Sequence, residues 1–344
     1  MRRLLFPVTW LYRLVVAVRN AAYDAGLFKS VDVGVPVISV GNLSTGGTGK
    51  TPVVEEIARV LLEEGRAVGV LSRGYGRRTS GFRWVQNGTA TDSDALMCGD
   101  EPVQMARSFP RLLVAVDEDR VRGARRMMAE SGLEVLILDD AFQHRRVVRS
   151  FDVVVMRREE LLRGGTLLPA GDLREPLHSL RRAHAVVVTG CSPDDECRQE
   201  RERLRPFLPD DVVCSAPEIL AVRRLGEAEN VPLGGIRNKK VLLVSGIGNP
   251  GGFLRTMAAH GCSVAGHLAF RDHRVFTLRD IASIRQAFGS HGCEVVVTTQ
   301  KDAVRLERAD LIEALGDLPV FHTVMRLRWV GGQAPFLERL KRLG

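Results

Sequence analysis

VPVISVGNLSTGGTGKT, residues 35 to 51, decides how this chain is to be read. A short run of apolar, mostly β-branched residues from Val35 to Val40 leads into a loop of small residues, Gly41 to Gly49. Lys50 and Thr51 close the loop, and Pro52 falls in the first turn of a helical pattern, where its missing N–H is not needed. Strand, glycine-rich loop and helix in that order let successive backbone N–H groups converge on phosphate oxygens. Lys50 then neutralises β/γ charge, and the Thr51 hydroxyl can ligate magnesium. The spacing departs from G-x-x-x-x-G-K-[ST] at one position, because Ser44 stands where the first glycine is usual, while Gly46 and Gly47 supply freedom inside the loop. The reading is a nucleoside triphosphate site, Ser44, Thr45, Gly46, Gly47, Thr48, Gly49, Lys50 and Thr51 forming its cradle.

Working outward, Leu133–Asp140 (LEVLILDD) is an apolar strand ending in two aspartates. Downstream of a phosphate loop this is Walker B logic, in which a carboxylate at the strand tip holds the magnesium of the bound triphosphate. Residues 72–78, SRGYGRR, place three arginines at a strand's carboxyl end, where open α/β sheets bind ligands. Asp100, in GDEP at 99–102, reads from local sequence chiefly as a helix cap. The run LLPAGDLREP, 167–176, is too rich in turn formers for regular structure, and the highly charged stretch 192–211 reads as surface helix and loop.

The composition suits this reading. At 344 residues, with 45% hydrophobic and 26% charged residues, the chain is long enough for two globular units and shows neither disorder nor a polytopic membrane pattern. A formal charge of +8 favours an anionic partner, and nucleic acid, phospholipid headgroups and phosphorylated substrates all qualify. Six scattered cysteines without a C-x-x-C pair suggest neither a zinc site nor a disulfide framework, with a reduced cytosolic setting as the default. At the N-terminus, MRRLLFPVTWLYRLVVAVRNAAYDAG mixes apolar residues with Arg2, Arg3, Arg13 and Arg19, and the apolar run is too short to span a bilayer. An interfacial helix and a helix packed on the core are both open.

An α/β pattern restarts at Val241–Val244, after a boundary between Pro206 and Asn238. Gly246, Gly248 and Gly251 satisfy G-x-G-x-x-G, but Pro250 interrupts the loop and the next strand lacks an acid for a ribose, so a close-packed turn is the better reading. Phe270–His273 is a polar cluster after a strand, and Cys293–Thr299 is a strand leading to Gln300-Lys301-Asp302.

Taken together, SVGNLSTGGTGKTP, LSRGYGR, GDEP, EDR at 118–120, LDDAFQHR at 138–145, LLPAGDLREP, SGIGNP, FRDHR and TQKD occur in order from residue 39 to residue 302. This set closely resembles the tetraacyldisaccharide 4'-kinases, the lipid A 4'-kinases of Gram-negative bacteria. The resemblance implies a P-loop α/β unit with a mainly parallel sheet, joined by a short two-stranded linker to a smaller α/β unit, with the active site between them. On this chain that gives an N-terminal membrane-interface helix over 1–25, the P-loop kinase unit over 26–215, a linker over 216–238 and the smaller unit over 239–344. The implied activity is ATP- and magnesium-dependent phosphorylation of the 4'-hydroxyl of a tetraacyl glucosamine disaccharide 1-phosphate. It would take place at the cytoplasmic face of the inner membrane, on anionic lipids and without nucleic acid. Residue by residue, Lys50 and Thr51 match the phosphate and magnesium positions, and Asp139 and Asp140 the metal-holding acids, with Glu101 beside them. Asp100 matches the catalytic base and His273 its partner, a pair expected to meet only when the cleft closes over substrates. Arg73, Tyr75, Arg120, Gln143, His144 and Arg174 match substrate-contacting or supporting positions. Two other readings stand beside this one. The first is a P-loop GTPase of the metallochaperone kind, with Thr299–Asp302 as a faint echo of N-K-x-D; the second is a membrane-associated nucleotide-binding scaffold without turnover.

Overall fold

The computed structural model describes residues 5–92, 94–192, 197–207 and 211–343. Arg2 and Arg3 of the expected N-terminal helix, and part of the charged stretch 192–211, lie outside the described residues. The chain opens with helix α1 (Phe6–Asp24), followed by β1 (Val37–Gly41), the phosphate loop and α2 (Lys50–Glu63). Then come β2 (Val68–Ser72), β3 (Arg83–Gln86), the short α3 (Ala95–Cys98), α4 (Asp100–Ser108), β4 (Leu113–Val116), α5 (Arg120–Glu130) and β5 (Val135–Asp139). The first unit continues with β6 (Phe151–Arg157), α6 (Arg158–Arg163), β7 (Ala185–Thr189), α7 (Arg198–Leu204) and the long β8 (Val212–Arg224). After β9 (Asn230–Val231), the second unit comprises β10 (Lys240–Ser245), α8 (Pro250–Ala259), β11 (Ser263–Ala269), α9 (Leu278–Ser290), β12 (Val295–Thr298), α10 (Gln300–Leu306) and α11 (Ala309–Leu315). Strand β13 (Val320–Gly331) and helix α12 (Gln333–Lys341) end the chain.

All of these strands belong to one sheet, in the order β11-β10-β12-β13-β8-β7-β6-β1-β5-β2-β4-β3, with β9 paired to the side of β8. The pairings within each unit are parallel except at the edge, where β3 runs against β4, and at β9. Parallel strands covered on both faces read as unbroken apolar runs, which is why LEVLILDD and VPVISV were recognisable. Ile38, Val40, Leu136, Ile137, Leu138 and Val153 are all fully buried. Register places Val40 beside Asp139, so the phosphate loop and the two aspartates leave adjacent strand ends. Gly41 is needed at that exit because a Cβ there would lie 2.5 Å from the backbone nitrogen of Phe142.

The join between the units is the antiparallel pair β8 and β13, running from Phe321 opposite Arg224 to Gly331 opposite Cys214. A two-stranded connection matches the expected linker, but only one of its strands comes from 216–238. The other lies in the segment assigned to the smaller unit, and the chain then returns to the first. Phe336 and Leu340 of α12 are fully buried in the core that contains Ile38, Val153 and Phe151. Residues 327–341 therefore pack with the P-loop unit, because β13 must run antiparallel to β8 and delivers the chain back where β8 began.

The cysteine expectation is also corrected: Cys197, capping α7, and Cys214, on β8, form a disulfide with Cα atoms 6.0 Å apart. They are 17 positions apart in sequence, and only the packing of α7 on β8 brings them together. The other four cysteines are buried and lie outside that disulfide.

Phe336 is closed in by Trp329 and Phe151, at ring separations of 5.5 and 6.0 Å. Phe336→Ala is expected to destabilise the P-loop unit by about 3–5 kcal/mol, read as a lower denaturation midpoint with little change in slope.

Candidate active site

The phosphate loop is held from both sides. Gly46 and Gly49 have φ of 117° and 85°, conformations that a side chain would strain, and Gly49 caps α2 in the left-handed region. Thr189, at the tip of β7, donates through Oγ1 to the Thr48 carbonyl at 2.7 Å, and Asn42 donates to the Thr48 hydroxyl at 3.3 Å. The Arg157 guanidinium donates to the Gly47 carbonyl. On the other side the turn-rich segment 167–176, unassigned from sequence, docks as a brace. Arg174 N donates to Leu43 O at 2.6 Å, Thr45 N donates to Asp172 O at 2.7 Å, and Ser44 bridges Leu173. Ser44 also donates its hydroxyl to Glu160 at 2.8 Å, so the residue standing in for the usual glycine uses its side chain to tie down the loop.

At the neighbouring strand tip, Asp140 has φ of 50°, a left-handed turn that brings its carboxylate to Lys50 Nζ at 3.4 Å and Arg174 Nη1 at 3.2 Å. Burial pushes Asp140 up, but the two cations outweigh it and hold the carboxyl below its usual range. Asp139 behaves oppositely. It accepts a hydrogen bond from Ser72 at 2.9 Å, yet burial, aided by the charges of Asp140 and Glu101 and opposed by Lys50, raises it to about 6. Buried acids with excess negative charge among hard oxygen donors suit a divalent cation of the magnesium type. Thr51, in the first turn of α2, adds a hydroxyl to that set.

Asp100 is not the helix cap that local sequence made the plainer reading. Gly99 occupies the cap position of α4 without a side-chain bond, and the Asp100 carboxylate turns instead to the second unit. His273 Nδ1 lies 3.3 Å from Asp100 Oδ2, and Arg305 Nε donates to the same oxygen at 2.8 Å. Burial raises Asp100, and the bonds from His273 and Arg305 with the charge of Arg305 overcome it, leaving the group below its ordinary value. The two residues, expected to meet when the cleft closes over substrates, are in contact here. The reason is a polar ladder between α4 and α10, in which Glu101 pairs with Lys301 at 2.7 Å, Gln300 donates to Ser108 at 2.8 Å and Arg107 pairs with Glu307. Lys301 Nζ also stands 3.3 Å from His273 Nε2, so donation from Nδ1–H to Asp100 and acceptance at Nε2 satisfies both ring nitrogens. His273 itself sits at φ of 55°.

The remaining predicted residues divide. Tyr75 is exposed and packs edge-on against the His273 ring at 5.2 Å, placing it in the site. Arg120 is buried and donates to the carbonyls of Asp117 and, at 3.0 Å, Asp139, so it supports the β5 tip from below. Gln143 donates to Asn42 O at 3.0 Å behind the loop. His144 is pushed down to about 4 by burial and by the cations of Arg120 and Arg73, while Arg73 itself is exposed. Lys301, Arg305 and Ser72 were missed as site residues; the spacing of Lys301 and Arg305, four apart in the TQKD helix, was the available signal. Asp302, which echoed a guanine-reading aspartate, is fully buried and accepts from Gly246 N and Thr299 Oγ1, leaving it no access to a base.

Comparison with known proteins points to a single family. The family model for tetraacyldisaccharide-1-P 4'-kinase matches residues 1–342. A tetraacyldisaccharide 4'-kinase of Bacteroides fragilis is 38% identical over 321 residues, covering 88% of this chain and 82% of the relative. One from Anaeromyxobacter dehalogenans is 40% identical over 313 residues, covering 89% and 81%. The crystal structure of the "apo" form of LpxK from Aquifex aeolicus in complex with ATP superposes with a TM-score of 0.80 at 32% identity, covering 99% of both chains. With the family model spanning nearly the whole sequence and curated relatives 38–40% identical over most of it, the chain belongs to the tetraacyldisaccharide-1-P 4'-kinase family.

Proposed function

We propose that the protein transfers the γ-phosphoryl group of ATP to the 4'-hydroxyl of a tetraacyl disaccharide 1-phosphate, with Asp100 as the base. The observation that carries this reading is the continuity of the site. Lys50 and Asp140 are paired at the phosphate loop, Asp139 feels the charge of Glu101, and Glu101 is paired with Lys301, which touches the His273 of the Asp100 pair. Phosphoryl transfer depends on positioning and charge neutralisation, and the loop amides with Lys50 supply both for the β/γ-phosphates. Bound magnesium, held by Asp139, Asp140 and Thr51, would neutralise further phosphate charge. A sugar hydroxyl has a pKa far above neutrality, so Asp100 accepts its proton as the bond to phosphorus forms, oriented by His273.

A membrane-surface location is part of the proposal. Helix α1 turns Thr9, Tyr12 and Asn20 toward the body of the protein. Asn20 donates to Glu175 at 2.8 Å, Tyr12 OH to Arg174 O at 2.9 Å, and the Thr9 hydroxyl accepts from Ala170 N at 3.2 Å. Phe6, Val8, Trp10, Leu11, Leu14, Val15 and Val18 are exposed, and among the described residues no helix is long and apolar enough to cross a membrane. An apolar face on a cationic chain suits the interface of an anionic leaflet, at the cytoplasmic side of the inner membrane where the lipid acceptor would be met.

Incubation with ATP, magnesium and a tetraacyl disaccharide 1-phosphate in detergent should give a product whose new phosphate is found at the 4' position by NMR; phosphate elsewhere, or none, overturns the reading. Lys50→Ala should lower kcat/KM by at least about 100-fold, roughly 3 kcal/mol of transition-state stabilisation. Asp100→Ala and His273→Ala should each lower kcat about 100-fold with the KM for ATP little changed, and the double variant should be scarcely worse than either. Removal of residues 1–20 should weaken sedimentation with anionic vesicles far more than ATP binding, and full-length binding should fall as salt rises. Unaltered sedimentation would return α1 to a packing role.

A further inference from the structure

We propose that Arg305 is a positioning residue for the transfer, holding one oxygen of the Asp100 carboxylate so that the other faces the acceptor hydroxyl, an inference that rests on Asp100 being the base. Among the described residues, every hydrogen bond to the Asp100 side chain falls on Oδ2: His273 Nδ1 at 3.3 Å, Arg305 Nε at 2.8 Å and Arg305 Nη2. Oδ1 is thereby the oxygen left to accept a proton. A freely rotating carboxylate would present either oxygen, whereas two donors from one planar guanidinium and a third from a ring fix which is which.

The guanidinium is itself fixed from behind. Its Nη1 donates to Gly246 O and to Asp302 Oδ1, both at 2.9 Å, and Asp302 is tied to Gly246 N at 3.0 Å and Thr299 Oγ1 at 2.7 Å. The Gly246 carbonyl also accepts from His273 N at 3.2 Å. One turn, Ser245–Pro250, therefore sets both partners of Asp100, and a Cβ on Gly246 would come within 3.1 Å of Asp302 Oδ1. The glycine-rich sequence SGIGNP, which resembled a dinucleotide fingerprint, acquires a role here as the platform for Arg305 and His273. Arg305 is only 6% exposed and spans from the second unit to the first, so the side chain that orients the base is also one of those that tie the two units together.

A lysine keeps the buried cation between Asp100 and Asp302 but has no planar fork with which to bond Oδ2 side-on while holding Gly246 O. Arg305→Lys is the test, made in the full chain and in an Asp100→Ala background, with melting temperature and the KM for ATP measured in each. The expected result is a fall in kcat of about tenfold or more in the parent, ATP KM and melting temperature near those of the parent, and no further fall when Asp100 is already alanine. Parental kcat in R305K overturns the proposal, and so does an equal fall in both backgrounds, since the arginine would then act independently of Asp100. Parental kcat in D100A alone would be a failure of the base assignment, which the same four proteins distinguish from a failure at Arg305.

Discussion

The antiparallel pairing of β8 with β13 fixes where everything else must lie. It welds the two parallel sheets into one, so the second unit hangs from the first by two hydrogen-bonded strands instead of a flexible tether. With that angle set, α10 runs alongside α4, and the polar ladder of Asp100 with Arg305, Glu101 with Lys301 and Ser108 with Gln300 closes between them. Several of these groups are shielded from solvent, where breaking a charge pair is expensive, and they therefore reinforce the position that the strands impose. The Asp100–His273 contact is a consequence of this placement.

Charge at the other end of the site is balanced by a different device. Asp139 and Asp140 leave one strand tip together, and side by side they would repel. The left-handed turn at Asp140 separates their surroundings: one carboxylate faces Lys50 and Arg174, while the other lies buried against Ser72. The three non-glycine residues at positive φ among those described are Asp140, Cys197 and His273, and two of them belong to the site. Backbone strain of this kind persists only where neighbours over-determine it, and here the phosphate loop and the Gly246 turn do so.

Helix α1 departs from the pattern of every other long helix in the chain. Its buried residues are Thr9 and Asn20, while Val8, Leu11, Leu14, Val15 and Val18 are exposed. Through Tyr12 and Asn20 it holds residues 174 and 175, and through those the segment that braces the phosphate loop. Two hydrogen bonds, Tyr12 OH to Arg174 O and Arg174 N to Leu43 O, thus connect the helix that carries the apolar surface to the start of the nucleotide cradle.

What the sequence by itself determined is what short-range chemistry encodes. The phosphate loop and the two aspartates were legible because buried parallel strands read as apolar runs and because phosphate and metal demand particular residue types next to them. The family's ordered motifs named Asp100 and His273, but not what holds them. The tertiary structure alone decided the rest. Local sequence made Asp100 look like a cap, yet the carboxylate turns to Arg305, 205 positions away. It likewise brought residues 167–176 under the loop, carried α12 back into the first core, and joined Cys197 to Cys214. Each is a contact between residues distant in the chain, and such contacts depend on strand order and crossing direction. Local propensity carries no record of these, because neighbours in sequence sense only the next turn or the alternate face of a strand.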